Sequence, residues 1–223
     1  MSMMMLARLW THLRGKRYGE FMWCASGARF YPLDARADEV FIEDIARGLA
    51  TECRYAGQIA IETEHTFYSV AEHSVLVSGA CTTLAELRGW SPAEVLAVSL
   101  EGLLHDGAEA YIGDVIRPFK YHRTMRFFRR VEDHVQRKID LAFELKPTKR
   151  SRELVHEIDN RITVDEVQQL IAKPNMNLVR RKFGKPLEIE VRGWSPAEAE
   201  RQFLTRYFEL IGLDNGTNTR AWS

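Results

Sequence analysis

The sequence predicts an all-α fold, a helical bundle with at most a short extended or hairpin segment. Apolar residues recur at three- and four-residue spacing through most of the chain, which is the pattern of amphipathic helices. Ser91, Pro92 and Glu94 form a typical helix start, with a capping serine, a proline in the first turn and an acid three residues on. Alternation with a period of two, which is typical of strands, is confined to residues 187–192.

The elements follow in order from the N-terminus. Residues 27–40 contain glycine, proline and aspartate at turn positions and predict an ordered loop or short hairpin. Helical spacing then predicts helices over 41–55, 67–87, 92–105, from after Pro118 to before Pro147, 154–172 and 195–211. The 92–105 segment is nearly apolar all round, so we expect it at the centre of the bundle. Leu187, Ile189 and Val191 alternate with charged residues and favour a short strand or extended arm before the last helix.

The heptapeptide RGWSPAE occurs twice, at residues 88–94 and 192–198. Its flanking residues do not extend the match, so we interpret it as a helix-starting sequence used twice and not as an internal duplication. We therefore expect one domain over residues 1–223, with core motifs at about 53–165 and a helical extension at 186–212.

Composition narrows the class of protein. Lys plus Arg equals Asp plus Glu at 31 each. The chain therefore lacks the overall positive charge that would indicate a nucleic-acid-binding protein. Three isolated cysteines argue against a disulfide framework and against a zinc–thiolate site, and they favour a reducing compartment. No apolar run approaches the roughly 18 residues of a membrane helix, and the N-terminal segment is too interrupted by charge for a secretory signal. We expect a cytoplasmic protein that does not associate with membranes.

The most informative residues are His105 and Asp106, which adjoin near the end of an apolar helical segment. An imidazole and a carboxylate on consecutive residues can bind the same divalent cation. Glu109 lies on the same side of the helix, and His73 and Asp159 fall within other predicted helices. Four nitrogen and oxygen ligands beside an acid describe a metal-dependent hydrolase site. The alternative is a buried hydrogen-bonded His–Asp pair, with His73 as an ordinary core histidine and Glu109 as an exposed helical acid.

Three stretches resemble the HD-domain phosphohydrolases: FYSVAEHS at 67–74, LLHDGAEAYIGDVIRPFKY at 103–121 and HEIDNR at 156–161. Within that family they are most similar to the group of bacterial 5'-deoxynucleotidases and phage deoxynucleoside triphosphohydrolases. The resemblance implies that His73, His105, Asp106 and Asp159 hold one divalent metal. Their mixed ligands suit Mn, Co, Fe, Ni or Zn, with Mg as a further option. Asp165 competes with Asp159 for the last position, but the context of Asp159, which has a basic residue two positions after it in mid-helix, is closer to the family motif.

The same resemblance implies roles for five further residues. Glu109 matches the catalytic acid, and Asp114 matches the acidic residue that positions water and the nucleoside. Arg54, Tyr55 and Lys120 are the implied substrate-binding residues. Tyr55 departs from the tryptophan found at that position in the deoxynucleotidases, so selectivity for deoxyribose is only implied. A turn residue at Asp114 and ordinary surface cations at Arg54 and Lys120 are the simpler alternatives.

Three functions follow from these observations. The first is a 5'-deoxynucleotidase that releases phosphate from deoxynucleoside monophosphates, and the second is a dATP-type deoxynucleoside triphosphate triphosphohydrolase. The third is a non-catalytic nucleotide sensor or nucleic-acid binder that uses the basic residues of 117–130. These basic residues can also be interpreted as a solvated helix face or as a polyphosphate site. We expect a small nucleotide as the substrate and no nucleic-acid partner. The resemblance also implies a homodimer or larger homo-oligomer, for which Phe127 and Phe128 suit an interface.

Overall fold

The computed structural model describes residues 17–60 and 65–212 of the chain. This part contains nine α-helices and one small antiparallel hairpin, so the predicted all-α fold with a short hairpin is confirmed. The hairpin strands are β1 (Met22–Trp23) and β2 (Arg29–Phe30), and the helices are α1 (Ile42–Thr51), α2 (Val70–Leu87), α3 (Pro92–Leu104), α4 (Glu109–Ile112), α5 (Arg117–Lys120), α6 (Arg126–Ala142), α7 (Lys149–Leu170), α8 (Met176–Phe183) and α9 (Pro196–Leu210). None of these helices combines the length and apolarity that crossing a membrane requires.

The ends of the predicted domain, residues 1–16 and 213–223, lie outside the described part, as does most of the segment considered for a secretory signal. The single domain over 1–223 therefore stays a prediction.

Serine caps begin three of the long helices. Ser69 accepts a hydrogen bond from the backbone N–H of Glu72 at the start of α2. Ser91 begins α3 with a complete capping box, and Ser195 begins α9 with the same serine-to-backbone bond. Both copies of the repeated heptapeptide thus act as helix starts, as the sequence predicts.

Glycines let the helices that carry the site pack closely. A Cβ atom on Gly102 of α3 would lie 2.8 Å from the Sγ atom of Cys81 on α2, so a larger residue could not occupy this contact. A Cβ atom on Gly48 of α1 would lie 2.7 Å from the Cβ of Ala110 on α4. These contacts fix α2 against α3 and α1 against α4. The fully buried side chains around them, including Leu103 of α3, form the main hydrophobic core.

The single long helix predicted after Pro118 is wrong. α5 ends at Lys120, a 3₁₀ turn spans Arg123–Met125, and only then does α6 begin. His122 has extended backbone angles, and its Nδ1 accepts a hydrogen bond from the backbone N–H of Thr124. This local side-chain bond competes with the helix, and Arg129 holds the break by donating to the carbonyl oxygens of Lys120 and His122.

Residues 186–194 form the predicted extended arm, although they pair with no strand in the described part of the chain. Side chains of α2 and α7 bind the arm's backbone instead. The carboxylate of Asp165 accepts from the N–H groups of Leu187 and Glu188, and that of Glu72 accepts from those of residues 192, 193 and 194. Glu188 has a φ of 60°, a left-handed conformation that prevents a regular strand here.

Candidate active site

His105 and Asp106 lie in the turn between α3 and α4. The Nδ1 atom of His105 is 2.8 Å from the carbonyl oxygen of Gly102, and it must be the donor because a carbonyl can only accept. The Nε2 atom of His105 is buried without a hydrogen-bond partner and lies 3.1 Å from Oδ2 of Asp106. The turn thus presents one imidazole nitrogen and one carboxylate oxygen side by side.

His73 approaches the pair from α2 and is fully buried. Its Nδ1 atom lies 2.6 Å from Oε1 of Glu166, while Nε2 has no aligned hydrogen-bond partner. The oxygens nearest to Nε2 are Oδ1 of Asp159 at 3.3 Å and Oδ2 of Asp106 at 3.8 Å. The Nε2 atoms of both histidines therefore approach the carboxylate of Asp106, and that of His73 also approaches Asp159.

These side chains can hold one metal ion. The ligand atoms of His73, His105 and Asp106 all lie within 4.8 Å of one another, and Oδ1 of Asp159 lies 3.3 Å from Nε2 of His73. Two buried imidazole nitrogens without hydrogen-bond partners are the atoms that a divalent cation would satisfy. Burial raises the pKa of both aspartates, but the neighbouring histidines outweigh it and hold both pKa values well below the usual range. Both carboxylates therefore remain charged.

Glu166 is the main residue of the site that sequence reasoning missed. This fully buried carboxylate of α7 accepts hydrogen bonds at Oε1 from His73 and from the hydroxyl of Tyr68, at 2.6 and 2.7 Å. At Oε2 it accepts from the hydroxyl of Tyr55 at 2.6 Å and from Nη2 of Arg54 at 3.2 Å. These donors hold its pKa at about 2, although burial alone would raise it.

Glu109 is buried within the electrostatic reach of Asp106 and Asp114, with 5% of its surface exposed. The interpretation as an exposed helical acid is therefore wrong. Its Oε1 atom accepts from Nζ of Lys120 at 3.2 Å, while Oε2 is buried without a hydrogen-bond partner. Burial, together with the negative charges of Asp106 and Asp114, raises the pKa of Glu109 to about 9 against the opposing charge of Lys120. In the protein alone this side chain holds a proton near neutral pH.

Asp114 follows Gly113, whose φ of 78° ends α4 in a conformation that favours glycine. The backbone N–H of Asp114 donates to Oε1 of Glu52 at 3.1 Å, which fixes the start of the following segment. Burial raises the pKa of Asp114. The positive charge of Arg54 opposes this rise, and the negative charge of Asp106 adds to it. Asp114 is thus half-buried within the electrostatic reach of the site.

The predicted substrate-binding residues all reach the site, and each is held by a carboxylate. Arg54 bridges Oδ2 of Asp106 at 3.7 Å and Glu166. Tyr55 has a φ of 57° and directs its hydroxyl to Glu166. Lys120 lies between Glu109 and a second carboxylate, that of Glu132, at 2.6 Å.

Two further residues differ from the sequence analysis. Arg117, which the sequence predicts only as a member of a basic run, donates to Oδ2 of Asp159 at 2.9 Å and to Oδ1 of Asn160 at 3.0 Å. Asp165, the alternative to Asp159, accepts from the backbone of the 186–194 arm and, within residues 17–60 and 65–212, forms no hydrogen bond or ion pair with the histidines. The structure therefore brings Asp159, and not Asp165, to His73.

Comparison with known proteins places the chain in a family. No protein-family model matches it. It is 31% identical over 196 residues to the uncharacterized protein RCAP_rcc00048 of Rhodobacter capsulatus, an alignment that covers 83% of this chain and 93% of that protein. The chain belongs to the family of this protein. Over 122 residues it is also 34% identical to the uncharacterized protein YfdR of Escherichia coli, covering 55% of this chain and 57% of YfdR, so it spans little more than half the length of that relative.

A solved structure shares the fold of this chain. The HD phosphohydrolase DatZ of cyanophage S-2L superposes with a TM-score of 0.51 at 18% sequence identity, covering 78% of this chain and 97% of DatZ. DatZ is described as bound to dA and one catalytic Zn²⁺ ion. The chain therefore has the HD phosphohydrolase fold, which confirms the fold that the sequence resemblance implied.

Proposed function

We propose that this protein is a metal-dependent hydrolase of nucleotide phosphate esters, and most simply a 5'-deoxynucleotidase that releases phosphate from deoxynucleoside monophosphates. One observation carries the proposal. Two buried histidine Nε2 atoms without hydrogen-bond partners face the carboxylates of Asp106 and Asp159, and the buried acid Glu109 lies beside them. A structural His–Asp pair would leave no such unsatisfied nitrogens.

In this proposal His73, His105, Asp106 and Asp159 hold one divalent cation. Their two nitrogens and two carboxylates suit Mn, Co, Fe, Ni or Zn better than a site of oxygens alone, and Mg is a further option. When bound, the cation polarises a phosphate oxygen and lowers the pKa of water in its coordination shell. The finding that DatZ is described with one catalytic Zn²⁺ ion supports this assignment.

Glu109 is the proposed acid–base group. Its protonated form can donate to the leaving 5'-oxygen, and its ionised form can accept a proton from the attacking water. Lys120 stabilises the ionised form through its contact with Oε1, while Oε2 has no hydrogen-bond partner and is free for water or substrate. Asp114 shares this environment and is proposed to orient the water and the nucleoside.

Cations around the site would bind the substrate phosphate. Arg54 and Lys120 lie against Asp106 and Glu109, so a phosphate group can take over part of their hydrogen bonding on entering the site. The ring of Tyr55 is proposed to pack against the sugar and to disfavour a 2'-hydroxyl. The dA bound in DatZ supports a deoxynucleoside as the substrate moiety.

Hydrolysis of deoxynucleoside triphosphates, with release of triphosphate, is the second candidate. It is favoured by Arg117, a partly exposed guanidinium beside Asp159 that could bind phosphate groups further from the ion. We retain a homodimer or larger assembly and a cytoplasmic location as predictions, the first of which sedimentation velocity would measure.

A product assay tests the proposal. Protein stripped of metal and reloaded with Mn²⁺, Co²⁺ or Zn²⁺ is incubated with ribo- and deoxynucleoside mono- and triphosphates, and chromatography separates nucleoside, phosphate and triphosphate. Phosphate from deoxynucleoside monophosphates is the expected result, whereas nucleoside with triphosphate would establish the second candidate. Asp106→Asn should abolish both metal binding and turnover, and Asp133→Asn, which removes an exposed carboxylate of α6, should change neither. No turnover with any metal would leave a non-catalytic nucleotide sensor.

A further inference from the structure

The charge of this protein is unevenly distributed along its sequence. Residues 117–130 contain six Lys and Arg and no Asp or Glu, and residues 173–185 contain five and again no acid. Because the whole chain has 31 residues of each sign, the remainder carries a matching excess of acids. We call these two stretches the first and second basic segments.

The two segments meet at the edge of the candidate active site. Arg117, in the first segment, donates to Asp159 and places its guanidinium carbon 5.2 Å from the ring centre of Phe183, in the second. Lys120, also in the first segment, contacts Glu109. A long anion bound along either segment would therefore extend toward the proposed metal ligands.

Most of the cations in these segments are available to a ligand. Within residues 17–60 and 65–212, eight of them are exposed and have no acidic side chain within ion-pair distance: Arg123, Arg126, Arg130, Lys173, Arg180, Arg181, Lys182 and Lys185. Arg117 and Lys120, by contrast, are engaged at the site. Unpaired cations grouped in two adjoining segments of a neutral protein attract polyanions.

Exposed aromatic rings alternate with the cations of the first segment. Phe119, Tyr121 and Phe127 are 53%, 67% and 65% exposed. Aromatic rings among cations are the features that bind single-stranded nucleic acid, because the cations follow the phosphates while unpaired bases stack on the rings. A solvated helix face has no need of three exposed rings.

We infer that the two basic segments form a binding surface for single-stranded nucleic acid, which delivers a terminal 5'-phosphate to the candidate active site. The inference rests on the proposed function, because it extends the same hydrolysis from a free nucleotide to the end of a strand. Water adds to phosphorus, the bond from phosphorus to the 5'-oxygen breaks, that oxygen takes a proton, and inorganic phosphate leaves. A triphosphate carries about four charges, far fewer than these segments would neutralise, so a longer polyanion fits them better.

Fluorescence anisotropy with a labelled oligothymidylate of twelve nucleotides tests the surface without requiring turnover. Arg180→Ala/Arg181→Ala should weaken binding about tenfold and reduce the slope of log affinity against log salt by about 1.4, since each phosphate contact contributes about 0.7 on single strands. The matched control, Lys146→Ala/Lys149→Ala, removes two exposed cations outside both segments and should leave affinity unchanged. Equal losses in both variants, or no binding by the wild type, would overturn the inference.

Tyr121 tests the stacking part of the inference. Tyr121→Ala should weaken binding of the oligonucleotide several-fold, and Tyr121→Phe, which keeps the ring, should restore it. Equally tight binding of duplex DNA would contradict a single-stranded ligand. If Tyr121→Ala changes the sedimentation coefficient but not the affinity for the oligonucleotide, this face contacts a second copy of the chain. That result would also overturn the inference.

The two proposals fail in different ways. Wild-type protein is given a deoxynucleoside monophosphate and, separately, a 5'-phosphorylated oligothymidylate, and released phosphate is measured. Two results together would contradict the binding surface and leave the proposed function intact. They are turnover of the monophosphate alone, and an anisotropy that Arg180→Ala/Arg181→Ala does not change. No turnover of either substrate would remove the proposed function and with it the delivery of the 5'-phosphate, even where the oligonucleotide binds. Release from both, with only the oligonucleotide reaction weakened in that variant, is the expected result.

Discussion

The Nδ1 atom of His73 lies 2.6 Å from Oε1 of Glu166, and both side chains are fully buried. An ionised carboxylate can only accept, so this contact fixes the proton on Nδ1 and directs Nε2 toward the proposed metal position. Glu166 is itself held by Tyr55, Tyr68 and Arg54. The orientation of a proposed metal ligand thus depends on a network that reaches from α2 to α7.

Glu166→Gln should weaken metal binding about tenfold to hundredfold, the usual cost of losing the carboxylate behind a ligating histidine. The amide keeps the shape of the side chain but loses the charge and one acceptor. Competition with a chromophoric chelator would measure the dissociation constant for Zn²⁺. Asp165→Asn, one residue earlier and bound to the arm, should leave that constant unchanged, and unaltered affinity in Glu166→Gln would contradict a role for the network.

Metal binding should release protons. Burial and Arg54 lower the pKa of His73, but Glu166 and Asp159 outweigh them and raise it to about 9, so His73 is protonated near neutral pH in the protein alone. A cation at Nε2 must displace that proton, and metal affinity should therefore rise with pH and level off as the pH passes about 9. Calorimetry in two buffers of different ionisation enthalpy counts the protons released. Glu109→Gln removes another group of the site whose pKa is raised but keeps His73, so this variant should still release about one proton per ion.

Glu109→Gln should keep the metal and lose turnover by about a hundredfold to ten-thousandfold, the range typical of a missing acid–base group. The comparison is made at matched metal content, which atomic absorption would verify. Glu132→Gln is the control, because Glu132 contacts the same ammonium group of Lys120. An equal loss in the control would indicate that Glu109 acts only by positioning Lys120.

Local signals in the sequence were sufficient to predict much of the fold and the composition of the site. Ser91 and Ser195 specify their helix starts through bonds within one turn, and His105 and Asp106 come together because they are consecutive. The break after α5 was missed because helical periodicity continues through it. What ends the helix is one hydrogen bond between the side chain of His122 and the backbone of Thr124.

Glu166 was missed for a different reason. Its environment is created by Tyr55, Tyr68 and His73, which lie far from it in the sequence, and an acid on a helix is ordinarily exposed. One signal was present, because Glu166 lies seven residues after Asp159, two helical turns along the same face of α7. An acid at that spacing from a proposed metal ligand can be predicted to lie beside the site.

Tyr55→Ala should relax selectivity for the sugar. Loss of the ring would open space for a 2'-hydroxyl, and the ratio of kcat/KM for ribo- over deoxynucleotide should rise about tenfold or more, as for other single-group discriminations in a pocket. Tyr55→Phe keeps the ring and loses only the hydrogen bond to Glu166, so its ratio should remain that of the wild type. Steady-state assays with paired ribo- and deoxynucleoside monophosphates would measure both, and an equal change in the two variants would indicate that the hydroxyl, and not the ring, matters.

Glu72→Gln should destabilise the protein by about 1–3 kcal/mol, the cost of leaving a buried donor unsatisfied. The fully buried carboxylate accepts from three consecutive backbone N–H groups of the 186–194 arm, at 2.7, 3.1 and 2.7 Å, and the amide of glutamine has only one oxygen to offer them. The arm leads into α9, which contributes Phe203 to the main core, so loosening it should lower global stability. Urea unfolding followed by circular dichroism measures the change. Glu86→Gln, an exposed residue of the same helix, should stay within about 0.5 kcal/mol of the wild type, and a similarly small change in Glu72→Gln would show that the arm is held mainly by its apolar contacts.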